Sequence, residues 1–545
     1  MFQLPFLLSA ALAVPCLASG EAPTVTLNYG VFQGAVNGNL STFLGVPFAK
    51  PSVRFSLPER PALLHGVQNA TAFGPACPQQ ALTLPPPIPP LVSEGQVSED
   101  CLKLNVFAPK SAKPGSNLPV FVWIYGGGFE IGNSPDTEVR PVVERSLATG
   151  EPIIIVTPNY RVSAFGFLAG KEVGDAGISN LGLRDQIFAL EWVQEHIQAF
   201  GGDPNRVVIG GPSAGAISTG LLLLSNKRFE PTDLFRGAFM LSGSPITTGS
   251  VTDGQPYYDG LVAANNCTRS SDTLDCLRRV PFDAFMATVN DTTNLFSYSS
   301  LQNIWRPRVD GDIVIQDPLI SVSKGLYANI PIISGDSDDE GTEFSLSNDN
   351  ITTNEEFLDY IHSNYLSNST SVQIAKLGTL YPNDPTQGSP FDTGTANQLT
   401  PQFKRLAAFQ GDYLFVGGGA SFWNTHRRRK MHGVVNKHGK STPILGAAHG
   451  SDVPLWFPPS ISNATDFVPV DALINFINTL NPNRSLKAHN TSTIYWPKWN
   501  ELMDGSPSLF TLSDPDALSI TPEDFRVDAI QFLFEVLLQQ AEKSA

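Results

Sequence analysis

The chain has 545 residues, enough to bury a large core, and its 51 acidic against 35 basic side chains give a formal charge of −16. Such a surplus of negative charge favours solubility and argues against a polyanionic partner such as nucleic acid. No run of about eighteen apolar residues occurs, so no transmembrane helix is expected.

The first twenty residues carry no charged side chain and hold an apolar stretch, Phe6 to Val14, followed by small residues through Ala18-Ser19-Gly20. Apart from its missing basic start this is a secretory signal, which predicts export and a mature chain beginning near Glu21. Cys16 leaves with that segment, so Cys77, Cys101, Cys267 and Cys276 remain, and four cysteines allow three pairings. An exported chain is where disulfides persist. Nine N-x-S/T sequons, at Asn39, Asn69, Asn266, Asn290, Asn350, Asn368, Asn463, Asn483 and Asn490, are compatible with heavy glycosylation. Between Cys77 and Cys101 lies Pro85-Pro86-Pro87-Ile88-Pro89-Pro90, which cannot form a helix and favours an extended polyproline conformation.

Further along, Val120-Phe121-Val122-Trp123-Ile124-Tyr125 reads as a buried strand running into Gly126-Gly127-Gly128-Phe129, where glycines leave backbone N–H groups open to a ligand. Leu183, Ile187, Leu190, Val193 and Ile197 recur at helical spacing and predict a core-facing helix over about 183–200. The run Arg206-Val207-Val208-Ile209-Gly210 predicts a strand and 216–224 a helix, with Gly211-Pro212-Ser213-Ala214-Gly215 as the sharp turn between them. This arrangement sets a serine at the apex of a strand–turn–helix, a nucleophile elbow. Two apolar runs then lead to candidate partners: Ile330-Pro331-Ile332-Ile333 to Asp336-Ser337-Asp338-Asp339-Glu340-Gly341, and Pro443-Ile444-Leu445 to Gly446-Ala447-Ala448-His449-Gly450-Ser451-Asp452. Each candidate is thereby expected just past a strand.

Serine, then acid, then histidine is the chain order of the α/β-hydrolase fold. A serine hydroxyl is too weakly acidic to attack unaided, an imidazole can take and return its proton, and a buried carboxylate orients that imidazole. Of the eight histidines, only His449 sits in a small-residue loop after an apolar run, whereas His432 and His438 are expected in a basic, solvated stretch. Asp338 and Asp339 compete with Glu340 for the role of acid. No dinucleotide fingerprint, phosphate loop, CxxC pair or HExxH helix occurs, so no cofactor or metal is expected.

With these motifs in order, the chain resembles the type-B carboxylesterase and lipase family, which includes fungal secreted lipases, sterol esterases and cholinesterases. Glu99-Asp100-Cys101-Leu102-Lys103-Leu104-Asn105-Val106 is similar to a second family signature, and Asn159-Tyr160-Arg161-Val162, Asn180-Leu181-Gly182-Leu183-Arg184-Asp185-Gln186 and Phe200-Gly201-Gly202-Asp203-Pro204 to its framework. The resemblance implies a large, mostly parallel sheet flanked by helices, formed by residues 21–545 as one domain, where length alone suggests about three domains. It implies Ser213 as nucleophile, His449 as base and then acid, Glu340 as the orienting carboxylate, and the N–H groups of Gly127, Gly128 and Ala214 as the oxyanion hole. It favours Glu340 over its neighbours because the family acid is followed directly by glycine, and it puts Asp452 behind the site. It further implies disulfides Cys77–Cys101 and Cys267–Cys276, buried ion pairs Arg54–Glu99 and Arg161–Asp185, and a lid in the loop 77–101, which the prolines should make short and stiff. The implied substrate is a small-molecule or lipid ester, with transient contact to a lipid interface. A non-catalytic adhesion member of the fold and an amide-cleaving relative are the alternatives. Two features depart from the family: Pro212, where most members carry an acidic residue, and the basic run Thr425-His426-Arg427-Arg428-Arg429-Lys430.

Overall fold

The computed structural model describes residues 22–50, 53–88, 95–225, 230–417, 431–460, 467–483, 494–514 and 517–544. The secretory segment, Pro89 and Pro90, the basic run 425–430 and the sequons at Asn463 and Asn490 lie outside the described residues.

The central element is a 12-stranded sheet. Its strands are β1 (Ala35–Asn37), β2 (Leu40–Pro47), β3 (Lys103–Pro109), β4 (Leu118–Trp123), β5 (Ile154–Pro158), β6 (Gly202–Pro212), β7 (Gly237–Leu241), β8 (Ile332–Ser337), β9 (Met431–Lys437), β10 (Leu502–Met503), β11 (Ser506–Ser513) and β12 (Ala517–Pro522). In space they run β10-β11-β9-β8-β7-β6-β4-β5-β3-β2-β1, with β12 paired to β11. From β11 to β5 the neighbours are parallel, and at both margins they turn antiparallel.

Strand alternation explains why helices cover both faces. On β4, Val120 and Val122 enter one core while Phe121 and Trp123 enter the other; on β7, Ala238 and Met240 oppose Phe239 and Leu241 in the same way. A sheet apolar on both sides must be sandwiched. The first core is closed by helix α1 (Leu181–His196) through Leu183, Ile187, Leu190 and Val193, and by α2 (Ala214–Leu224). The second is closed by α3 (Val468–Thr479) through Leu473, Ile474, Phe476 and Ile477. The helix expected over 183–200 is thus α1 followed by a 3-10 turn, Ile197–Phe200. A last helix, α4 (Val527–Ser544), adds Leu533, Val536 and Leu537 to a third cluster with Phe344, Phe409 and Phe415.

Disulfides join Cys77 to Cys101 and Cys267 to Cys276. Arg54 grips both oxygens of Glu99 at 2.9 and 3.0 Å. Arg161 holds both oxygens of Asp185 at 2.7 Å, and its own backbone N–H adds a third bond at 3.1 Å. Because Asp185 is fully buried, Asp185→Leu strands the Arg161 charge in the core. The expected cost is about 3–5 kcal/mol, whereas Asp100→Leu, which loses a partly exposed pair with Lys103, should cost about 1 kcal/mol or less. Denaturant midpoints at unchanged slope measure both; equal losses would show that burial does not set the difference.

Candidate active site

β6 ends at Pro212, α2 begins at Ala214, and Ser213 makes the whole reversal between them at φ 53° and ψ −125°. Few non-glycine residues adopt positive φ, and such strain is held only where the surroundings over-determine it. Here the Ser213 N–H donates to Leu241 O at 2.8 Å and its carbonyl accepts from Ile217 N–H at 2.9 Å. The two motif glycines are demanded by close approach: a Cβ on Gly211 or Gly215 would lie 2.1 or 2.0 Å from Ile124 O. α2 therefore starts directly after the serine, two residues before the helix expected from sequence.

Gly127 and Gly128 follow β4 on the loop beside this turn. Among the described residues, the N–H groups of Gly127, Gly128 and Ala214 donate to no protein acceptor. Gly128, Ser213 and Ala214 line a half-open cavity whose other walls include Ile217, Leu295, Phe344 and Phe415. A concave, mainly apolar space with a few aimed polar groups suits an acyl chain and its carbonyl.

The acid-bearing turn follows β8. Glu340 is buried; its Oε1 accepts the Ser337 N–H at 2.5 Å and its Oε2 lies 2.5 Å from His449 Nδ1. Two reciprocal bonds lace this turn to the histidine loop: Asp339 N–H donates to Ala447 O at 3.0 Å, and Ala447 N–H to Asp339 Oδ2 at 2.8 Å. Asp338 and Asp339 are not a solvated turn, since both are buried and both pair with Lys440, at 2.5 and 2.8 Å. Burial opposes the Asp338 charge, yet Lys440 and Lys437 outweigh it and hold that carboxyl below its ordinary value. Neither aspartate is hydrogen-bonded to His449.

The imidazole of His449 is flanked by Phe415 and Phe344, with ring centres 4.4 and 5.2 Å away. Both phenylalanines also wall the Ser213 cavity, so the structure brings serine, histidine and glutamate to one place. No hydrogen bond joins Ser213 to His449 among the described residues, a link that commonly tightens only around substrate. Burial pulls the imidazole down, but Glu340, with Glu343 and Asp452 beyond it, outweighs burial and holds His449 above its ordinary value. The acids around it are raised too, but there burial leads: burial first, then the Glu340 charge, pushes Asp452 up to about 7. Glu343 is likewise raised to about 7, mainly by burial, against the pull of His449.

Two expectations from sequence are corrected here. Pro443-Ile444-Leu445 is not a strand: Ile444 has φ 69°, and its N–H donates to Asn397 Oδ1 at 3.0 Å. The strand that precedes His449 is β9, and an irregular loop separates the two. His432 is not solvated; it lies buried within β9 against Pro497 O, at 3.1 Å, and burial pushes it down to about 4. His438 is half-buried beside Asp514, at 2.9 Å. Of the loop 77–101, residues 77–88 and 95–101 are described and contain no helix.

Other residues at the site gave no sequence signal, because only the fold carries them there. Glu130, fully buried, accepts the Leu295 N–H at 2.8 Å on one oxygen while the other has no partner. Burial pushes it up to about 8, which favours its neutral form. The Asn303 amide donates to Gly128 O from the same wall. Among the described residues no group of three or more His, Cys, Asp or Glu could hold a metal ion, and no helix is long and apolar enough to cross a membrane.

The model of the Carboxylesterase family matches residues 21–519. The chain is 38% identical to Lipase 5 of Diutina rugosa over 92% of its length and 94% of that protein's. It is 37% identical to Secreted lipase 1 of Botryotinia fuckeliana, over 89% of each chain. Its structure is similar to the crystal structure of Aspergillus niger EstA, with a TM-score of 0.81 and 27% identity, covering 95% of this chain and 98% of that one.

Proposed function

Since this chain belongs to the carboxylesterase family, we propose that it is an exported enzyme that hydrolyses carboxylic esters through an acyl-serine intermediate. Ser213 attacks the ester carbonyl while His449 takes its proton. The N–H groups of Gly127, Gly128 and Ala214 receive the negative charge that develops on the carbonyl oxygen. His449 then returns the proton to the departing alcohol, and a water activated by the same imidazole releases the acid. Glu340 fixes the imidazole with Nδ1–H toward itself and stabilises the imidazolium. The observation that carries this reading is the His449–Glu340 bond at 2.5 Å, with the imidazole packed on Phe344 and Phe415, which also wall the cavity that holds Ser213.

Export rests on the charge-free apolar segment at residues 1–20 and on the secreted relatives. The natural acyl bond is tested with matched ester, thioester and amide substrates. Turnover confined to oxygen and sulfur esters supports the reading; faster amide cleavage favours an amidase, and no turnover of any of the three favours a binding module. A second measurement bears on the loop 77–101. A lid that gates an oil surface is commonly an amphipathic helix, which is stable closed in water and opens on binding the interface. With no helix in its described residues and prolines through its middle, this loop should gate weakly. The rate on a sparingly soluble ester is expected to rise smoothly through the solubility limit; a steep jump there, with little turnover below, shows a working lid.

A further inference from the structure

Two cavities meet at Arg306. The one that holds Ser213 is bounded at one side by Ile246, Arg306 and Leu414, and the same three residues bound a second, narrow cavity that reaches α4 at Leu533 and Leu537. Their walls are largely apolar, as an acyl chain extending away from Ser213 requires. A guanidinium at the junction is out of place for a plain hydrocarbon chain, because an alkyl group cannot accept its hydrogen bonds.

The charges around Arg306 leave it without a counter-ion. Among the described residues no carboxylate lies within ion-pairing distance of it, and its Nε is buried with no partner. Asp317 feels its charge, but the oxygens of Asp317 are taken by Thr247 Oγ1 at 2.7 Å and by the N–H groups of Leu319 and Thr248 at 2.9 and 3.3 Å. Asp412, on the wall of the second cavity, is held by both arms of Arg526 at 2.9 and 2.8 Å and by the Tyr381 hydroxyl at 3.1 Å. Tyr413, also on that wall, is a phenol that burial pushes up while the Arg306 charge and hydrogen bonding to Gln302 and Arg306 pull it the other way, so the neighbour of Arg306 there is a neutral hydroxyl and not a counter-ion. Two residues on, Arg308 is buried; burial and then the Arg306 charge push it down to about 9. Arg308 lines neither cavity and feels Asp253, so among the described residues the positive charge on the wall that no carboxylate pairs is that of Arg306 alone.

We infer that Arg306 is an end-group subsite for acyl chains that carry a second acid function, so that half-esters of dicarboxylic acids are preferred substrates. Ser213 takes the ester carbonyl, the methylene chain lies along Ile246 and Leu414, and the far carboxylate forms the bidentate pair that a guanidinium favours. The overall charge of −16 opposes the approach of such a substrate, so the preference comes from this local contact and not from long-range attraction. The inference rests on Ser213 being the nucleophile.

The test uses the full mature protein and two series of 4-nitrophenyl esters with equal chain lengths, one ending in carboxylate and one in its methyl ester. At the chain length that reaches Arg306, kcat/KM for the acid should exceed that for its neutral partner about tenfold to a hundredfold, as one charge-assisted bond gives. Arg306→Met should abolish the preference and Arg306→Lys should keep part of it. Each readout is a ratio within one protein, independent of the amount of active enzyme. Should Arg306→Met fail to fold, competition by free dicarboxylates against monocarboxylates of equal length on the wild type decides instead: selective inhibition at one length supports the subsite. A flat ratio at every length, or an unchanged ratio in Arg306→Met, overturns the inference while 4-nitrophenyl acetate is still cleaved. Failure to cleave any ester of either series would refute the nucleophile assignment itself.

Discussion

Ser213→Ala is expected to lower ester hydrolysis about 10⁵-fold or more while leaving a folded protein. Removing the hydroxyl abolishes covalent catalysis outright, and only what the oxyanion donors and the binding cavity supply remains, about 10³–10⁴-fold over water. The fold should tolerate the change. What holds residue 213 at φ 53° is its backbone, bonded to Leu241 and Ile217, together with the close contacts of Gly211 and Gly215 with Ile124. Alanine meets the same constraints, and deleting the hydroxyl leaves no recorded hydrogen-bond partner stranded. Kinetics on the purified variant beside its thermal unfolding curve check both halves. Hydrolysis within tenfold of the wild type would remove Ser213 from the reaction, and loss of activity with loss of the fold would leave the turn as a structural element only.

Glu340→Gln should lower kcat about 10³–10⁴-fold, because glutamine can present its amide N–H to the imidazole and then favours the wrong tautomer. Asp338→Asn should retain most of the turnover per folded molecule, since Asp338 faces Lys440 and Lys437 and not the imidazole. The two variants also differ in pH dependence. His449 acts as a base only when neutral, and its affinity for the proton is held above the ordinary value chiefly by the Glu340 charge against the effect of burial. Activity in the wild type is therefore lost as pH falls through that raised value. Without the Glu340 charge the imidazole releases its proton more easily, so the acid limb of the residual activity in Glu340→Gln moves to lower pH. A move to higher pH, or equal losses in Glu340→Gln and Asp338→Asn, would reverse the choice of acid.

The physical reason for choosing Glu340 among three adjacent acids, a choice the family pattern at Gly341 already favoured, lies in their surroundings. Asp338, Asp339 and Glu340 share one turn and similar chemistry, and only neighbours from elsewhere distinguish them. Lys440 arrives from the loop after β9 to take the two aspartates, and the Ala447 backbone bonds hold that loop so that His449 meets Glu340. His432 was misread for the same reason. A basic stretch looks solvated along the chain, but residue 432 falls inside a strand paired on both sides.

Local geometry was legible along the chain: the alternation of buried strands with helices, the serine at a glycine-flanked turn, the glycine loop after a buried strand and the order of the candidate residues. These are short-range properties, set by side-chain periodicity and by where only glycine fits, and they can be read from residues adjacent in the chain. Tertiary structure supplied the physical ground for Glu340 as the acid that meets the histidine, and it alone decided that His432 is buried. It also decided that burial favours the neutral form of Glu130 and that Arg306 stands between two cavities without a counter-ion. Each of those depends on desolvation and on charges brought together from distant segments, and an ionisable group takes its behaviour from that environment rather than from its neighbours along the chain.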